Sequence, residues 1–388
     1  MNPQPSSPVQ SQPPFPASPQ AEGPLDSYLI GGDEGARPVP AVSVLMPAYN
    51  AGAFLAPAVE SILAQTWRDF ELIIIDDGST DGTRERIEAY AAADRRIRSC
   101  PNPRNMGVVK TLNRGLGLAR APWIARMDAD DVSYPTRLEK QLALARRMPD
   151  AALITSPFDV IEADDSIRPG WRGICFQQEL LPYFLLFYNR LNAHGQVMLN
   201  ARAVREVGGY LVKYHLSEAT ELWIRLIRHG QFGVVPEPLY AWRSANPNSV
   251  TKQNTFRYAD FSLLACREEI ERACGLALTR DEVVLLRDFW VRYDDPSRDW
   301  DAAERLLAAV ASRFSPPRPV SGWARRIRVA NACGWLSHAT LKARRGEWRG
   351  SLAHLRRSVR AAGIHWPVAV ARFIAETAAV RGNISRRS

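Results

Sequence analysis

The sequence is poor in cysteine, and its few cysteines are scattered. Cys100, Cys175, Cys266, Cys274 and Cys333 are the five present, and no two of them form a C-x-x-C pair. An odd number of widely spaced cysteines gives neither a disulfide framework nor a zinc-binding pattern. We therefore expect free thiols in a reducing compartment.

Long apolar runs are absent as well. No window approaches the roughly 18 to 20 uninterrupted apolar residues of a membrane-spanning helix. The N-terminal residues lack the basic segment and apolar core of a signal peptide. The sequence therefore predicts a cytoplasmic protein.

Two phosphate-binding patterns are also missing. There is no G-x-x-x-x-G-K-[ST] segment, and no G-x-G-x-x-G follows the first predicted strand. ATP hydrolysis and dinucleotide redox chemistry therefore lose their main support.

The composition divides the chain into three parts. Residues 1–40 hold 10 of the 28 prolines, a composition that cannot bury enough apolar surface to offset the entropy of ordering, so residues 1–39 are predicted to be a disordered leader. The remaining chain, 46% apolar overall, is long enough for two domains. We predict a domain over residues 40–255 and a helical, basic region over residues 256–388, because strand-like patterns disappear at about Phe256.

Within residues 40–255, short apolar runs alternate with helical stretches. Val42–Met46, Phe70–Ile75 and Trp123–Met127 are the main predicted strands. This alternation predicts an α/β, Rossmann-like fold, with a mixed but mostly parallel sheet covered by helices on both faces. Ligands of such sheets bind beyond the carboxyl ends of the strands.

Three carboxylates follow one of these strands. Asp128, Asp130 and Asp131 come directly after an apolar run that ends at Met127. Carboxylates this close repel one another unless a cation or hydrogen-bond donors compensate them, and oxygen ligands suit Mg²⁺ or Mn²⁺. The alternative is a helix N-terminus decorated with acids, because a helix is predicted from about Thr136.

A second acidic strand end follows the run Phe70–Ile75. Asp76 and Asp77 precede Gly78 and Ser79, and a carboxylate here could accept hydrogen bonds from a nucleobase or a ribose. Ordinary turn and cap chemistry explains the same residues when they are taken alone. Two acidic ends in one predicted crevice favour a nucleotide.

Several blocks of the sequence, in the same order and spacing, resemble the family-two glycosyltransferases of bacterial type. The blocks are Val44-Leu45-Met46-Pro47-Ala48-Tyr49-Asn50, Ile73-Ile74-Ile75-Asp76-Asp77-Gly78-Ser79-Thr80-Asp81, Asn105-x-Gly107, Leu112-Asn113-Arg114-Gly115 and Ile124-Ala125-Arg126-Met127-Asp128-Ala129-Asp130-Asp131. The resemblance covers residues 41–251 and implies a GT-A fold, a nucleotide-sugar donor (a UDP-sugar first), Mn²⁺ or Mg²⁺, and inversion at the anomeric carbon.

The resemblance also implies roles for individual residues. Those it places on the donor are Pro47, Tyr49, Asn50, Asp77, Lys110, Asn113, Asp128 and Asp130. It implies that Asp128, Asp130 and Asp131 share the contacts to the metal, the ribose and the diphosphate. A bound metal would neutralise the diphosphate as it departs.

The second half of the domain departs from the family at one position. The family's acceptor-side Glu-Asp appears here as Glu218-Ala219, followed by Thr220-Glu221, and alanine cannot take a proton from an acceptor hydroxyl. Glu218 or Glu221 therefore replaces the base, or the domain binds its donor without efficient transfer. His194 could approach the donor phosphate or the metal, and the family's His after Trp242-Arg243 is missing.

The net charge of +9 is concentrated in the last part of the chain. From Arg318 onwards there are 15 Lys and Arg against Glu347 and Glu376, a balance of +13, which leaves −4 for residues 1–317. Four tryptophans are interspersed there: Trp323, Trp335, Trp348 and Trp366. Helices rich in Arg and Trp favour anionic lipid surfaces, and peripheral contact with the inner face of a membrane would suit a lipid-linked acceptor.

Several interpretations stay open at this point. The basic region could instead be a solvated or partner-binding helical cap, whereas no nucleic-acid motif is present. The main prediction is a metal-dependent glycosyltransferase that acts on a glycan or lipid-linked acceptor hydroxyl in polysaccharide or glycoconjugate synthesis. The alternatives are a donor-binding scaffold without a base and a sugar-phosphate nucleotidyltransferase, although the latter should have a Gly-rich, basic loop after the first strand.

Overall fold

The fold is taken from a computed structural model. It describes residues 38–170, 178–189, 191, 193–244, 246, 255–291, 295 and 297–374, and of residues 255–258 only the backbone. Most of the predicted leader, Cys175 and the last 14 residues lie outside this range.

A seven-stranded sheet forms the centre of the domain predicted over residues 40–255. Its strands are β1 (Val42–Ala48), β2 (Phe70–Asp76), β3 (Ile97–Ser99), β4 (Trp123–Arg126), β6 (Ala151–Thr155), β9 (Met198–Asn200) and β10 (Gln231–Val234). Their order is β10-β6-β9-β4-β1-β2-β3, with β9 antiparallel to both of its neighbours. The predicted mixed, mostly parallel sheet is confirmed.

A second, smaller sheet was not predicted. Its strands are β5 (Val132–Ser133), β7 (Phe158–Ile161), β8 (Ile167–Pro169) and β11 (Tyr240–Arg243), in the order β5-β11-β7-β8. These strands are only two to four residues long, and β5 pairs with a segment more than 100 residues away. Local periodicity cannot reveal such a sheet, because its pairing is set by tertiary contact.

Helices cover both faces of the central sheet. They are α1 (Leu55–Leu63), α2 (Thr83–Ala93), α3 (Val108–Leu118), α4 (Arg137–Arg147), α5 (Leu181–Phe184), α6 (Ala201–Glu206) and α7 (Glu218–Leu226). Alternate residues of β1 face opposite sides: Leu45 packs in the cluster of α3, α6 and α7, whereas Val44 and Met46 pack with α1 and α4. This two-residue period is that of a strand buried on both faces.

Helical spacing of apolar residues in the sequence predicts helices over residues 178–188 and 218–229, and both are shorter in the structure. α7 ends at Leu226, and residues 178–188 begin with a 3₁₀ turn (Gln178–Leu180) that is followed by α5. Pro182 lies at the second position of α5, where proline is tolerated because the first turn has no backbone acceptor for its missing N–H.

The C-terminal region is helical, as predicted. Its helices are α8 (Thr255–Cys274), α9 (Arg280–Val291), α10 (Trp300–Arg313), α11 (Trp323–Arg344) and α12 (Trp348–Ala362). They enclose their own apolar core, to which Tyr183, Phe184 and Phe187 also belong. These three residues lie in the α5 segment, defined as α5 and the residues up to 187. Within the described ranges, no helix is both long and apolar enough to cross a bilayer.

Candidate functional site

The functional crevice forms where three adjacent strands end. β4, β1 and β2 are neighbours and run parallel. The backbone of Asp77 donates a hydrogen bond to Ala48 O (2.8 Å), and that of Met127 donates to Leu45 O (3.0 Å). The segments after these strands therefore start side by side, which brings the predicted donor-binding residues to one edge of the sheet.

The end of β1 presents a pre-formed turn. Asn50 has a left-handed backbone (φ 48°), its side-chain oxygen accepts from the backbone of Thr80 (2.9 Å), and its own N–H donates to the Ser79 hydroxyl (2.9 Å). Tyr49 beside it is 49% exposed, and Pro47 precedes both as the second-last residue of β1. Tyr49 thus offers an aromatic surface on which a base could stack.

Asp77 is almost fully buried and already holds a loop. Its carboxylate accepts hydrogen bonds from the Asn102 side chain (2.7 Å) and from the backbones of Met106 (2.9 Å) and Gly107 (3.0 Å). The carboxylate that was predicted to bind the base therefore fixes the loop that leads into α3. Only its Oδ2, with one donor, has capacity left for a ligand.

Asn113 also makes contacts within the protein. Its amide accepts from the backbone N–H of Tyr210 and donates to the carbonyl of the same residue, both at 2.8 Å. This pair fixes the Gly208-Gly209-Tyr210 turn to α3, and the donor-binding role of Asn113 stays a prediction. Lys110, one turn earlier on α3, lies half-buried.

A buried guanidinium faces the first carboxylate of the acidic cluster, the set Asp128, Asp130 and Asp131. Arg126 is 2% exposed and donates to Asp128 Oδ1 at 2.6 Å. The negative charge of Asp128 raises the pKa of Arg126 although burial alone would lower it. Asp128 Oδ2 accepts no hydrogen bond from a described side chain.

The other two carboxylates, Asp131 and Asp130, differ in how many of their oxygens already accept hydrogen bonds. Asp131 is fully buried and accepts from the Tyr240 hydroxyl (2.6 Å) and the Arg243 backbone (2.7 Å). Asp130 accepts from the Asn246 side chain through Oδ2 (2.6 Å), and no other described side chain donates to its Oδ1. Burial, then the neighbouring carboxylates, raise the pKa of Asp131 well above its usual value and raise that of Asp130.

These contacts bear on the predicted metal site. Each oxygen of Asp131 already accepts one hydrogen bond inside the protein, so Asp131 has less capacity left for a metal than its two neighbours, and its role as a third ligand stays a prediction. Within the part of the chain that is described, no three His, Cys, Asp or Glu side chains are grouped as metal ligands. Asp128 Oδ2 and Asp130 Oδ1 remain, and two carboxylates plus substrate phosphates are a common donor set for Mg²⁺.

A series of polar contacts between side chains connects α3 to the start of α7. The Tyr210 hydroxyl, anchored through Asn113, lies 2.8 Å from His194 Nε2, and His194 Nδ1 lies 3.6 Å from Glu218 Oε1. Burial, then the charge of Arg126, lower the pKa of His194. The imidazole is therefore neutral at physiological pH.

Glu221 has a different environment from Glu218. Its carboxylate forms a two-point ion pair with Arg225 (2.5 Å), and Arg225 also donates to the carbonyls of Val207 and Gly209. Glu221 is 6% exposed. Of the two predicted base candidates, Glu221 is held by Arg225 beside the turn before Tyr210, whereas Glu218 forms no ion pair with a described Lys or Arg.

Three residues at the site were missed by the sequence reasoning. Arg126 neutralises Asp128, Tyr240 supports Asp131, and Arg137 donates to the carbonyls of Arg126 (2.7 Å) and Val197 (3.1 Å) while it lies over the Tyr240 ring. Burial lowers the pKa of Arg137 to about 10. A positive residue immediately before an acidic cluster was a usable signal for Arg126, but nothing local marks Tyr240, which lies 109 residues beyond Asp131.

Comparison with known proteins gives the family of these residues. The model of the family described as "Glycosyl transferase family 2" matches residues 43–208. EpsE of Bacillus subtilis, a glycosyltransferase by name, is 34% identical over 59% of this chain and 82% of its own length. MJ1057 of Methanocaldococcus jannaschii, also a glycosyltransferase by name, is 31% identical over 56% of this chain and 77% of its own.

Solved structures share the fold at low sequence identity. TarS 1–349 of S. aureus, crystallised in complex with UDP-GlcNAc, superposes with a TM-score of 0.52 at 14% identity and covers 81% of this chain and 90% of that one. The crystal structure of the same TarS fragment alone gives a TM-score of 0.50 at 13% identity. The sequence relatives thus match little more than half of the chain, whereas the structural likeness extends into the C-terminal helices.

Proposed function

Because the chain belongs to glycosyltransferase family 2, we propose that it moves a sugar from a UDP-sugar to an acceptor hydroxyl, with a divalent metal and inversion at the anomeric carbon. The observation that carries this proposal is the pair of carboxylate oxygens Asp128 Oδ2 and Asp130 Oδ1, to which no described side chain donates, after the strand that pairs with β1. UDP is the first choice because TarS, of the same fold, has been crystallised with UDP-GlcNAc.

The residues present fit a metal shared with the donor. Asp128 and Asp130 would hold it, and the diphosphate would complete its oxygen ligands. When bound, the cation would neutralise the charge that builds up on the departing diphosphate. Burial, then the neighbouring carboxylates, raise the pKa values of Asp130 and Asp131, and a bound cation would offset that repulsion.

The proposed transfer is a single displacement. The acceptor oxygen attacks the anomeric carbon, the bond from that carbon to the phosphate oxygen breaks, and the electron pair leaves with the diphosphate. The acceptor proton goes to Glu218, which stands at the first residue of α7, next to Ala219. His194 lies against Glu218 and orients it, since the imidazole is itself fixed by the Tyr210 hydroxyl.

Metal-dependent donor binding is tested by calorimetry with UDP and Mn²⁺. Asp130→Asn should abolish the part of the binding that requires Mn²⁺, whereas Asp150→Asn, on the exposed loop after α4, should leave it unchanged. Equal affinity of the Asp130→Asn and wild-type proteins, with and without the ion, would rule out the metal assignment.

The base is tested by the release of UDP from a panel of UDP-sugars and acceptors. Glu218→Gln should lower kcat about 10²- to 10⁴-fold at unchanged affinity for UDP, because only the proton transfer is removed. Glu221→Gln should instead lower thermal stability, since it leaves Arg225 without its counter-charge. A wild-type protein that binds UDP-sugar but releases no UDP with any acceptor would support the donor-binding scaffold instead.

The same assay addresses the acceptor. We propose a glycan or lipid-linked hydroxyl, as in polysaccharide or glycoconjugate synthesis. A lipid-linked acceptor would bring the enzyme to the inner face of the cytoplasmic membrane.

A further inference from the structure

Helix α12 presents two different faces. One face packs on α11, where Ser351 and Ser358 donate to the carbonyls of Ala339 (2.9 Å) and Ala332 (3.0 Å). His354, on the same face, is 3% exposed. The helix is thus held firmly on one side, which fixes the direction in which its outer side points.

The outer side carries an apolar stripe, defined as Trp348, Leu352, Leu355 and Val359. Trp348 is 65% exposed, Leu352 54% and Val359 44%. Spacings of four, three and four residues place the four side chains in one row along the helix. Contiguous exposed apolar side chains on a folded protein mark an interaction surface.

Arginines flank the stripe on its solvent side. With 3.6 residues per turn, Arg349 and Arg356 lie about 80 to 100° around the axis from Trp348. Both are exposed, and neither forms an ion pair with a described residue. Arg344, exposed at the end of α11, adds to the same positive potential.

We infer that the outer side of α12 docks on an anionic lipid surface. The apolar stripe would enter the headgroup boundary, and Arg349 and Arg356 would meet lipid phosphates, the arrangement expected of an amphipathic helix that lies in a membrane interface. No described helix can span a bilayer, so this surface supplies peripheral contact only. The inference is independent of the donor chemistry proposed above.

Charge decides between a membrane and the other occupants. From Arg318 to the end the chain carries 15 Lys and Arg against two Glu, so a second copy docked through its own α12 would bring like charge to like. The chain's own residues 375–388 contain Arg381, Arg386 and Arg387 against Glu376 and would be repelled in the same way. A nucleic acid would use the arginines but leave Trp348 and Leu352 in water.

The test is co-sedimentation of the full chain with vesicles, without sugar nucleotide. Wild type should bind vesicles of equal parts phosphatidylcholine and phosphatidylglycerol, and should not bind phosphatidylcholine alone. Arg356→Glu should weaken binding roughly ten-fold or more, because each basic residue near such a surface contributes about 1 kcal/mol, equivalent to about five-fold. Leu352→Ser should weaken it roughly ten-fold through lost apolar burial.

Each variant has a matched control. Ile167→Ser removes an apolar side chain that is 52% exposed on the small sheet, and Arg147→Glu reverses an exposed charge at the end of α4; both should bind as wild type does. The inference would be overturned if the wild-type protein stayed in the supernatant with both vesicle types. Vesicle binding by Leu352→Ser equal to that of wild type would overturn it as well. The same holds if light scattering shows that wild type is a dimer, Leu352→Ser is a monomer, and neither protein binds vesicles. UDP binding by the same samples shows whether the transferase domain is intact.

Discussion

At the scale of single residues, the site depends on a glycine, Gly195, at which two segments of the chain come into close contact. A Cβ at Gly195 would lie 1.8 Å from the Tyr240 hydroxyl and 2.9 Å from Asp128 Oδ2. Tyr240 supports Asp131 through that hydroxyl (2.6 Å). The absence of a side chain at residue 195 therefore permits the present positions of both Tyr240 and Asp128.

Gly195→Ala should disturb the acidic cluster. The added methyl must push Tyr240 or the backbone aside, so we expect a loss of about 1 to 3 kcal/mol in the free energy of unfolding and weaker UDP binding, measured by urea unfolding and calorimetry. Gly350→Ala, in α12 with its nearest neighbour at 3.5 Å, should instead gain up to about 1 kcal/mol. Wild-type UDP affinity in Gly195→Ala would show that Tyr240 can move without cost to the donor site.

At the scale of elements, a buried carboxylate joins three strands and the α3–β4 loop. Glu71 of β2 accepts from the Ser43 hydroxyl of β1 (2.6 Å), from Arg98 of β3 (3.0 Å) and from the backbone and side chain of Arg120 (3.0 Å each). Burial alone would raise its pKa, but these hydrogen bonds and the two guanidinium charges lower it below the ordinary 4.5. The ionised form of Glu71 therefore stabilises the edge of the sheet.

Glu71→Gln should make the protein less stable by about 2 to 3 kcal/mol at neutral pH, because two partly buried guanidinium groups lose their counter-charge. A lowered folded pKa means that the unfolded chain binds more protons, so this stabilisation is full above pH 4.5 and declines as the pH falls. Urea unfolding of both proteins as a function of pH measures the difference.

The matched control is Glu88→Gln. Glu88 forms an exposed ion pair with Arg84 on α2, with about half of each side chain in solvent, and such pairs contribute less than about 1 kcal/mol. A difference between wild type and Glu71→Gln that grows towards acid pH would contradict the assignment.

At the scale of the whole molecule, the α5 segment joins the transferase fold to the helical region. Leu181 and Leu185 belong to the core under the central sheet, whereas Tyr183 and Phe187 pack among the C-terminal helices. The Tyr183 hydroxyl donates to the side chain of Asn331 in α11 (3.1 Å). One short segment thus contributes to two apolar cores, so the two parts should unfold together.

Tyr183→Ala should destabilise both parts by about 3 to 5 kcal/mol through the cavity it leaves. Tyr183→Phe keeps the ring and should cost only about 1 kcal/mol for the lost hydrogen bond. Calorimetry should show one transition that moves to lower temperature as a unit. Two transitions, of which only one responds to Tyr183→Ala, would mean that the parts fold independently.

The sequence by itself determined the parts of this protein that are local. Strand periodicity located β1, β2 and β4 to within a few residues, and the acids at the strand ends marked the crevice. These succeed because side-chain period and turn chemistry are properties of neighbouring residues. The resemblance in the motif blocks then indicated the family, which the comparisons confirm.

Only the tertiary structure decided which of those residues are available to a ligand. Asp131, Glu221 and Asn113 look like binding or catalytic residues in the sequence, yet each is engaged by a partner: Tyr240, Arg225 and the backbone of Tyr210. Asp128, Asp130 and Glu218 keep oxygens without a described side-chain donor. A carboxylate's capacity depends on donors that come from distant segments, so no local pattern could separate the two groups.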